Sequence, residues 1–269
     1  MGVDKVKPAF GSHEEELEIL VERGIIPFNP TSFDSIFRQI GELSRTIETS
    51  PTQRKATVLF HGSPGSGTTA MAARLAMDSG YSFIRVITPK SLLRFKSEMA
   101  KRDHVTQIFS DAERSKKSLI VLDKLEYLID WIPLGNAYSP ILVSAIRTAL
   151  QSDVPVDRHQ LVFVTTTNYS LVKMFELHNI FDRKVFVPPV MDLTELTRIL
   201  AAKGGSYKGN EDWTCKQIQA KTGSPTVRLG IKRLLGTLEI CRVSSQGDAR
   251  VEVEGFIESV SEDIISENS

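Results

Sequence analysis

The residues with the clearest chemical potential are Gly62-Ser63-Pro64-Gly65-Ser66-Gly67-Thr68-Thr69. Glycines at this spacing let successive backbone amides turn inward around anionic oxygens, and a helix beginning there adds positive potential. The pattern is that of a phosphate loop, which needs a strand before it and a helix after it. Gly62, Gly65, Ser66, Gly67, Thr68 and Thr69 are therefore read as lining nucleotide phosphates, with the Thr69 hydroxyl placed to hold Mg2+. One position departs from the pattern. Thr68 stands where a lysine is normally required, so the point charge that neutralises the outer phosphates is missing. Further on, the apolar run Leu119-Ile120-Val121-Leu122 ends in Asp123, a carboxylate suited to anchor the same magnesium. The next residue should be an acid that orients the attacking water. It is Lys124, which accepts no proton while charged. Glu126 is the sole catalytic candidate. It is read as a surface or helix-start charge, with substitution for the missing acid as the alternative, because a turn after Asp123 leaves its direction open. Lost charge neutralisation and lost water activation each remove orders of magnitude of rate. Nucleotide binding without appreciable turnover is the expectation.

These residues need a scaffold, and the apolar pattern supplies one. Thr57–His61, Phe83–Ile87, Leu119–Leu122, Leu161–Thr165 and Val185–Val187 read as short buried strands. Helical patterns separate them at Thr68–Asp78, Ser91–Met99, Val105–Arg114, Pro140–Leu150 and Leu171–Leu177. Buried strands alternating with helices predict a parallel α/β sheet covered on both faces. Ahead of it, Ser12 with Glu15 forms a capping box for a helix that stops at Gly24, and a second helix is expected over Thr31–Glu48. After Pro188-Pro189 the strands are expected to end. Asp192–Lys203, Glu211–Lys221, Val227–Arg242 and Val251–Ile265 read as a helical segment. The expected division is 1–56 as an N-terminal linker with helices, 57–189 as the nucleotide-binding α/β part, and 190–269 as a helical lid.

Composition narrows the function classes. The 269 residues hold 33 Lys+Arg and 33 Asp+Glu, so formal net charge is zero. That balance argues against nucleic acid or an anionic membrane as the main partner. The basic cluster Lys90, Arg94, Lys96, Lys101 and Arg102 reads as the solvated face of a helix and turn. Cys215 and Cys241 are too few and too far apart for a disulfide framework, and the five histidines show no zinc spacing. No apolar stretch reaches about 18 residues, and the first residues lack a signal-peptide core. No membrane insertion is expected.

Taken together, the motifs resemble an AAA-type ATPase domain, and specifically the second AAA domain of the vesicle-fusing ATPases (the N-ethylmaleimide-sensitive fusion protein family). The resemblance runs over nearly the whole chain. It rests on Val6-Lys7-Pro8-Ala9-Phe10-Gly11, Gly24-Ile25-Ile26, the phosphate loop and Tyr81–Arg85. Asp130-Trp131-Ile132-Pro133-Leu134-Gly135 is its most specific part, followed by Val164-Thr165-Thr166-Thr167 and Leu229-Gly230-Ile231-Lys232-Arg233. The resemblance implies an α/β P-loop NTPase with a five-stranded parallel sheet sandwiched by helices, followed by a small all-helical lid domain. It implies ATP with Mg2+ as ligand and a homo-hexameric ring. It also implies work on SNARE complexes through the soluble attachment protein, bound by domains absent here, on the cytoplasmic side of vesicle and endomembrane surfaces. Ile25 and Ile26 would lie against the adenine, Thr166 or Thr167 would sense the terminal phosphate, and Lys232 would reach that phosphate in place of the charge lost at Thr68. Phe181-Asp182-Arg183 is present, but the two upstream finger positions read Leu177 and Ile180. The pore-loop stretch around Phe95 lacks its glycine. No first AAA domain falls within these residues, so the chain is expected to be a fragment or a divergent stand-alone copy.

Two further readings stay open at this point. One is a working ATPase in which Lys232 and Glu126 cover for the missing groups. The other is an interaction scaffold that holds no nucleotide. A clamp-loader-like DNA binder, resting on the basic cluster alone, ranks last.

Overall fold

A computed structural model describes residues 11–22 and 24–268. The expectations for Val6–Phe10 lie outside the described residues. The chain divides into two compact units.

The first unit contains Ile36–His61 and Thr68–Phe186, together with the helix Gly11–Leu20. Its five strands are β1 (Lys55–His61), β2 (Phe83–Ile87), β3 (Lys117–Leu122), β4 (His159–Thr166) and β5 (Arg183–Phe186). They form one parallel sheet in the order β2-β3-β4-β1-β5. Near-continuous apolar runs make this possible. Leu59, Phe60, Ile120, Leu122, Val162 and Val164 are all fully buried, as strands covered on both faces must be. Register carries the functional consequence. His61 pairs with Thr166 and Leu122 with Val164, so β1, β3 and β4 finish along one edge. Open α/β sheets bind ligands beyond such carboxyl ends.

One polar device ties the unit together. Lys55 Nζ donates to the carbonyls of Ala149 and Ser152 at 2.6 and 2.9 Å, capping the helix Pro140–Gln151 at its negative end. Burial pulls its pKa down to about 8, against the raising effect of Glu113, Asp153 and Asp182. The unfolded chain holds that proton to about 10.4. Between those values unfolding therefore takes up a proton, and stability rises with pH by at most about 1.4 kcal/mol per unit. Lys55→Met is expected to remove this slope. Denaturant titrations of both proteins at pH 8, 9 and 10 check it, and parallel curves reject it.

In the first unit one expected helix is divided. The expected helix Ser91–Met99 is interrupted. Pro89–Leu92 is a single turn closed by a Thr88–Ser91 capping box, and Ser97 caps a longer helix, Glu98–Ala112. Two good N-caps nine residues apart outcompete one continuous helix. Among the described residues no helix is long and apolar enough to cross a membrane.

The second unit contains Gly62–Gly67, the loop from Gly24 with the first turns of the helix Pro30–Thr49 as far as Ser35, and the chain from Val187 onward. Helices Leu193–Lys203, Glu211–Thr222, Ile231–Ser244 and Ala249–Asn268 form its bulk around Leu196, Ile199, Ile218, Leu234, Phe256 and Val260. It is not wholly helical. Strands do not end at Pro189, because β6 (Val190–Asp192) pairs antiparallel with β7 (Thr226–Leu229). The expected helix from Val227 therefore begins only at Ile231. Val227 and Leu229 are buried and Arg228 is exposed, an alternation that suits a strand, and Arg228 at φ 51° breaks any helix there.

Candidate functional site

In the sheet unit, the end of β3 brings together Asp123 and Thr69, the two residues expected to hold a metal. Asp123 is buried, with its amide donating to Ile87 O at 2.9 Å. Its Oδ1 accepts from Thr69 Oγ1 at 2.6 Å and from Thr165 Oγ1 at 2.8 Å. Thr69 is the second residue of the helix Thr68–Met77, so one hydroxyl and one carboxylate meet as the motif predicts. Burial pushes the Asp123 carboxyl above its ordinary range, and the Thr69 and Thr165 hydrogen bonds pull it back. Thr165 also accepts from Lys124 N at 2.8 Å, which fixes the end of β4 against this pair. The role of Thr165 is not among those expected from the sequence. Three hydroxyl residues in a row at the end of an apolar strand were the available signal.

Glu126 is where the structure departs most from expectation. It does sit at a helix start, in the first turn of Leu125–Leu128, but it is no surface charge, since only 5% of it is exposed. Lys124 adopts a left-handed conformation, φ 57° and ψ 69°, and opens the single turn Leu125–Leu128. That turn sends Leu125 and Leu128 into the core and carries Glu126 back under β4. There its Oε2 accepts from Thr166 Oγ1 at 2.8 Å. Its Oε1 accepts from Thr167 N at 3.0 Å and Thr167 Oγ1 at 2.6 Å. Lys124 itself is exposed.

In the second unit, the glycine loop is tightly built. Gly65 and Gly67 have φ of +78° and +98°, which a side chain would strain. Ser66 N closes a turn onto Ser63 O at 3.0 Å, while the buried Ser66 Oγ has no hydrogen-bond partner. Gly62 has no room for a Cβ, which would lie 2.3 Å from Val187 O and 2.4 Å from Ser66 Oγ. The start of the helix Ile231–Ser244 packs on the loop. Lys232 N donates to Gly65 O at 3.0 Å, and a Cβ on Gly230 would fall 2.9 Å from both Gly65 C and Pro64 O. Gly230 is a second residue whose role the sequence did not disclose. The Lys232 side chain is exposed. Ile25 and Ile26 are half-buried in a loop fastened to the same unit. Phe28 is buried edge-on to Phe33, and Asn29 Nδ2 donates to Glu195 Oε1 at 3.4 Å.

Leu177 is buried and Ile180 half-buried, both packed as core, and Arg183 is exposed. The Asp182 carboxylate accepts from Thr57 N at 2.7 Å, which fastens the chain before β5 to β1. Phe95 packs against the core, with its ring tilted against that of His104. The basic cluster is partly neutralised, with Lys101 on Asp130 at 2.6 Å and Arg102 on Asp103. Cys215 and Cys241 are both free and buried.

The residues present fit a magnesium nucleotide. Positive-φ glycines, a buried unpartnered Ser66 hydroxyl and a hydroxyl–carboxylate oxygen pair are the groups such a ligand needs. The fold and this site define a P-loop NTPase module. Residues 58–189 match the ATPase family associated with various cellular activities (AAA), and the chain carries an AAA domain of that family. Within it, the chain resembles the vesicle-fusing ATPases. It is 32% identical over 240 residues to Vesicular-fusion protein SEC18 of Saccharomyces cerevisiae, covering 89% of this chain and 31% of that one. It is 28% identical over 240 residues to Vesicle-fusing ATPase of Dictyostelium discoideum, with the same coverage, 89% and 31%. A more distant likeness, 27% over 183 residues, links it to Proteasome-activating nucleotidase of Saccharolobus solfataricus, covering 66% of this chain and 42% of that one. The chain thus spans about three tenths of the length of the vesicle-fusing relatives it matches.

Proposed function

We propose that this chain binds ATP with Mg2+ and serves chiefly to assemble a vesicle-fusing ATPase, with little or no hydrolysis of its own. The observation that carries the reading is the Thr69–Asp123 contact of 2.6 Å directly after the glycine loop. It keeps the metal-holding half of the site while Thr68 and Lys124 replace the charge and the acid that turnover uses. Bound magnesium supplies charge neutralisation at the phosphate oxygens. The chain's own part is to present amides at Gly65–Gly67, the Thr69 hydroxyl and the Asp123 carboxylate. Lys232, on the helix packed against the loop, is proposed to offset part of the charge missing at position 68. The working-ATPase alternative loses support, because Glu126 is occupied by threonine donors and does not face free solvent.

On this reading the chain packs as a homo-hexamer and contributes to SNARE-complex disassembly through the soluble attachment protein and domains outside these residues. It acts on the cytoplasmic side of vesicle and endomembrane surfaces, with no nucleic-acid partner. The proposed division is the linker with helices to 56, the nucleotide part 57–189 and the lid 190–269. The vesicle-fusing relatives and the AAA match support it. Native mass measurement with and without Mg2+-ATP tests both halves. The expected result is nucleotide-dependent growth from monomer to hexamer. Assembly indifferent to nucleotide, or no bound nucleotide at all, rejects the reading in favour of a scaffold.

A further inference from the structure

We propose that Glu126 is a positioning residue that captures the hydrogen-bond donors at the end of β4, so that the nucleotide site does not distinguish a triphosphate from a diphosphate. The inference rests on the nucleotide-binding reading above and concerns what that site recognises.

A threonine hydroxyl has a single proton to donate. The Thr166 proton goes to Glu126 Oε2 at 2.8 Å, while Thr166 Oγ1 itself accepts from Asn168 N at 3.0 Å. The Thr167 hydroxyl proton goes to Glu126 Oε1 at 2.6 Å, and the Thr167 amide to the same oxygen at 3.0 Å. A phosphate oxygen can only accept. Three donors that could meet one are already committed to a carboxylate, in the charge-assisted class of hydrogen bond that is hardest to displace.

Position makes this matter. Thr165, one residue earlier, bonds Asp123, which bonds Thr69. The end of β4 is thereby fixed against the metal pair, and Thr166 and Thr167 are its next donors. Glu126 and Asp123 are both buried and bond consecutive threonines, Thr166 and Thr165, which places both acids in one locale at the end of β4. A negative charge there repels an additional phosphate as well as withholding the donors. The arrangement is built into the backbone. Lys124 holds a left-handed conformation uncommon for a side-chain-bearing residue, and without that turn Glu126 would not reach β4.

The test is a titration of the full chain with Mg2+-ADP and with a Mg2+-bound, non-hydrolysable ATP analogue, for the natural protein and for Glu126→Gln. The natural protein is expected to bind both within about 3-fold. Glu126→Gln removes the charge at constant size and is expected to shift the ratio about 10-fold or more toward the triphosphate, one charge-assisted hydrogen bond's worth. Thermal melting of the variant, and its retained affinity for ADP, report that the site is folded. Binding of neither ligand by the natural protein overturns the nucleotide reading, and this inference with it. A natural protein that binds both but prefers the triphosphate about 10-fold overturns this inference alone, as does an unchanged ratio in Glu126→Gln. Should the variant lose both ligands, the natural protein's ratio decides by itself.

Discussion

Asp123→Ala is expected to lower the affinity for Mg2+-nucleotide about 10- to 100-fold, the range typical when a group that orients a metal's ligands, as Asp123 orients the Thr69 hydroxyl, is removed. The expected loss is confined to the magnesium-dependent part of binding. The glycine loop and its amides lie on a separate stretch of chain, Gly62–Gly67, and keep their conformation. Titration of a fluorescent nucleotide with and without magnesium separates the two contributions. A variant that retains the full magnesium effect defeats the assignment. Asp123→Asn sharpens the test through stability. Burial raises the Asp123 carboxyl above its ordinary value, so the folded protein holds that proton more tightly than the unfolded chain. In the window just above the ordinary carboxylate range the folded state binds more protons, and stability falls as pH rises through it. Above that window the buried charge is a standing cost without metal. Asparagine removes the charge and keeps an acceptor for Thr69 or Thr165. Without nucleotide, Asp123→Asn is therefore expected to melt no lower than the natural protein at pH 7, while its magnesium-dependent binding is lost. A variant that binds poorly and also melts lower would assign Asp123 to structure.

The sheet was legible because its signal is strong and local. Apolar runs such as Leu119–Leu122 bounded by polar turns can hardly be placed anywhere but inside, and all five strands fall within a few residues of their expected positions. Thr69 and Asp123 were legible for the same kind of reason, since each sits at the end of a regular element where direction follows from the element. What escaped was decided by single backbone conformations. The direction of Glu126 depends on Lys124 turning left-handed, and nothing in a lysine announces φ 57°. The strand pair β6–β7 rests on three or four residues a side, too short for periodicity to register. Gly230 looked like an ordinary residue before a helix. Its lack of a side chain matters only because Pro64 and Gly65, far away in sequence, come to rest against it.

That contact carries the largest stability effect expected in the second unit. Gly230→Ala is expected to lower the melting temperature by roughly 3–10 °C, from a steric cost of about 1–3 kcal/mol. Conformational preference adds no cost and if anything favours alanine, because Gly230 has φ −64° and ψ 135°, which alanine adopts freely. The whole effect must come from the added methyl meeting Gly65 C and Pro64 O at 2.9 Å and Gly65 O at 3.0 Å. All three are main-chain atoms, so no side chain can swing aside. Gly65 is itself held at φ +78°, which restricts how the loop can yield. Relief requires the start of the helix Ile231–Ser244 to move off the loop, lengthening the Lys232 N to Gly65 O hydrogen bond. Nucleotide affinity should fall together with stability, since the displaced segment is the phosphate loop. Gly255→Ala is the matched comparison in the same unit. Its Cβ would meet only Cys241 Sγ at an ordinary 3.7 Å, within the helix Ala249–Asn268. There alanine's higher helix propensity should add up to about 1 kcal/mol. Calorimetric melting of the two variants side by side should move them in opposite directions. A Gly230→Ala protein that melts with the natural one shows that the loop and the helix are not in the close contact on which the proposed role of Lys232 depends.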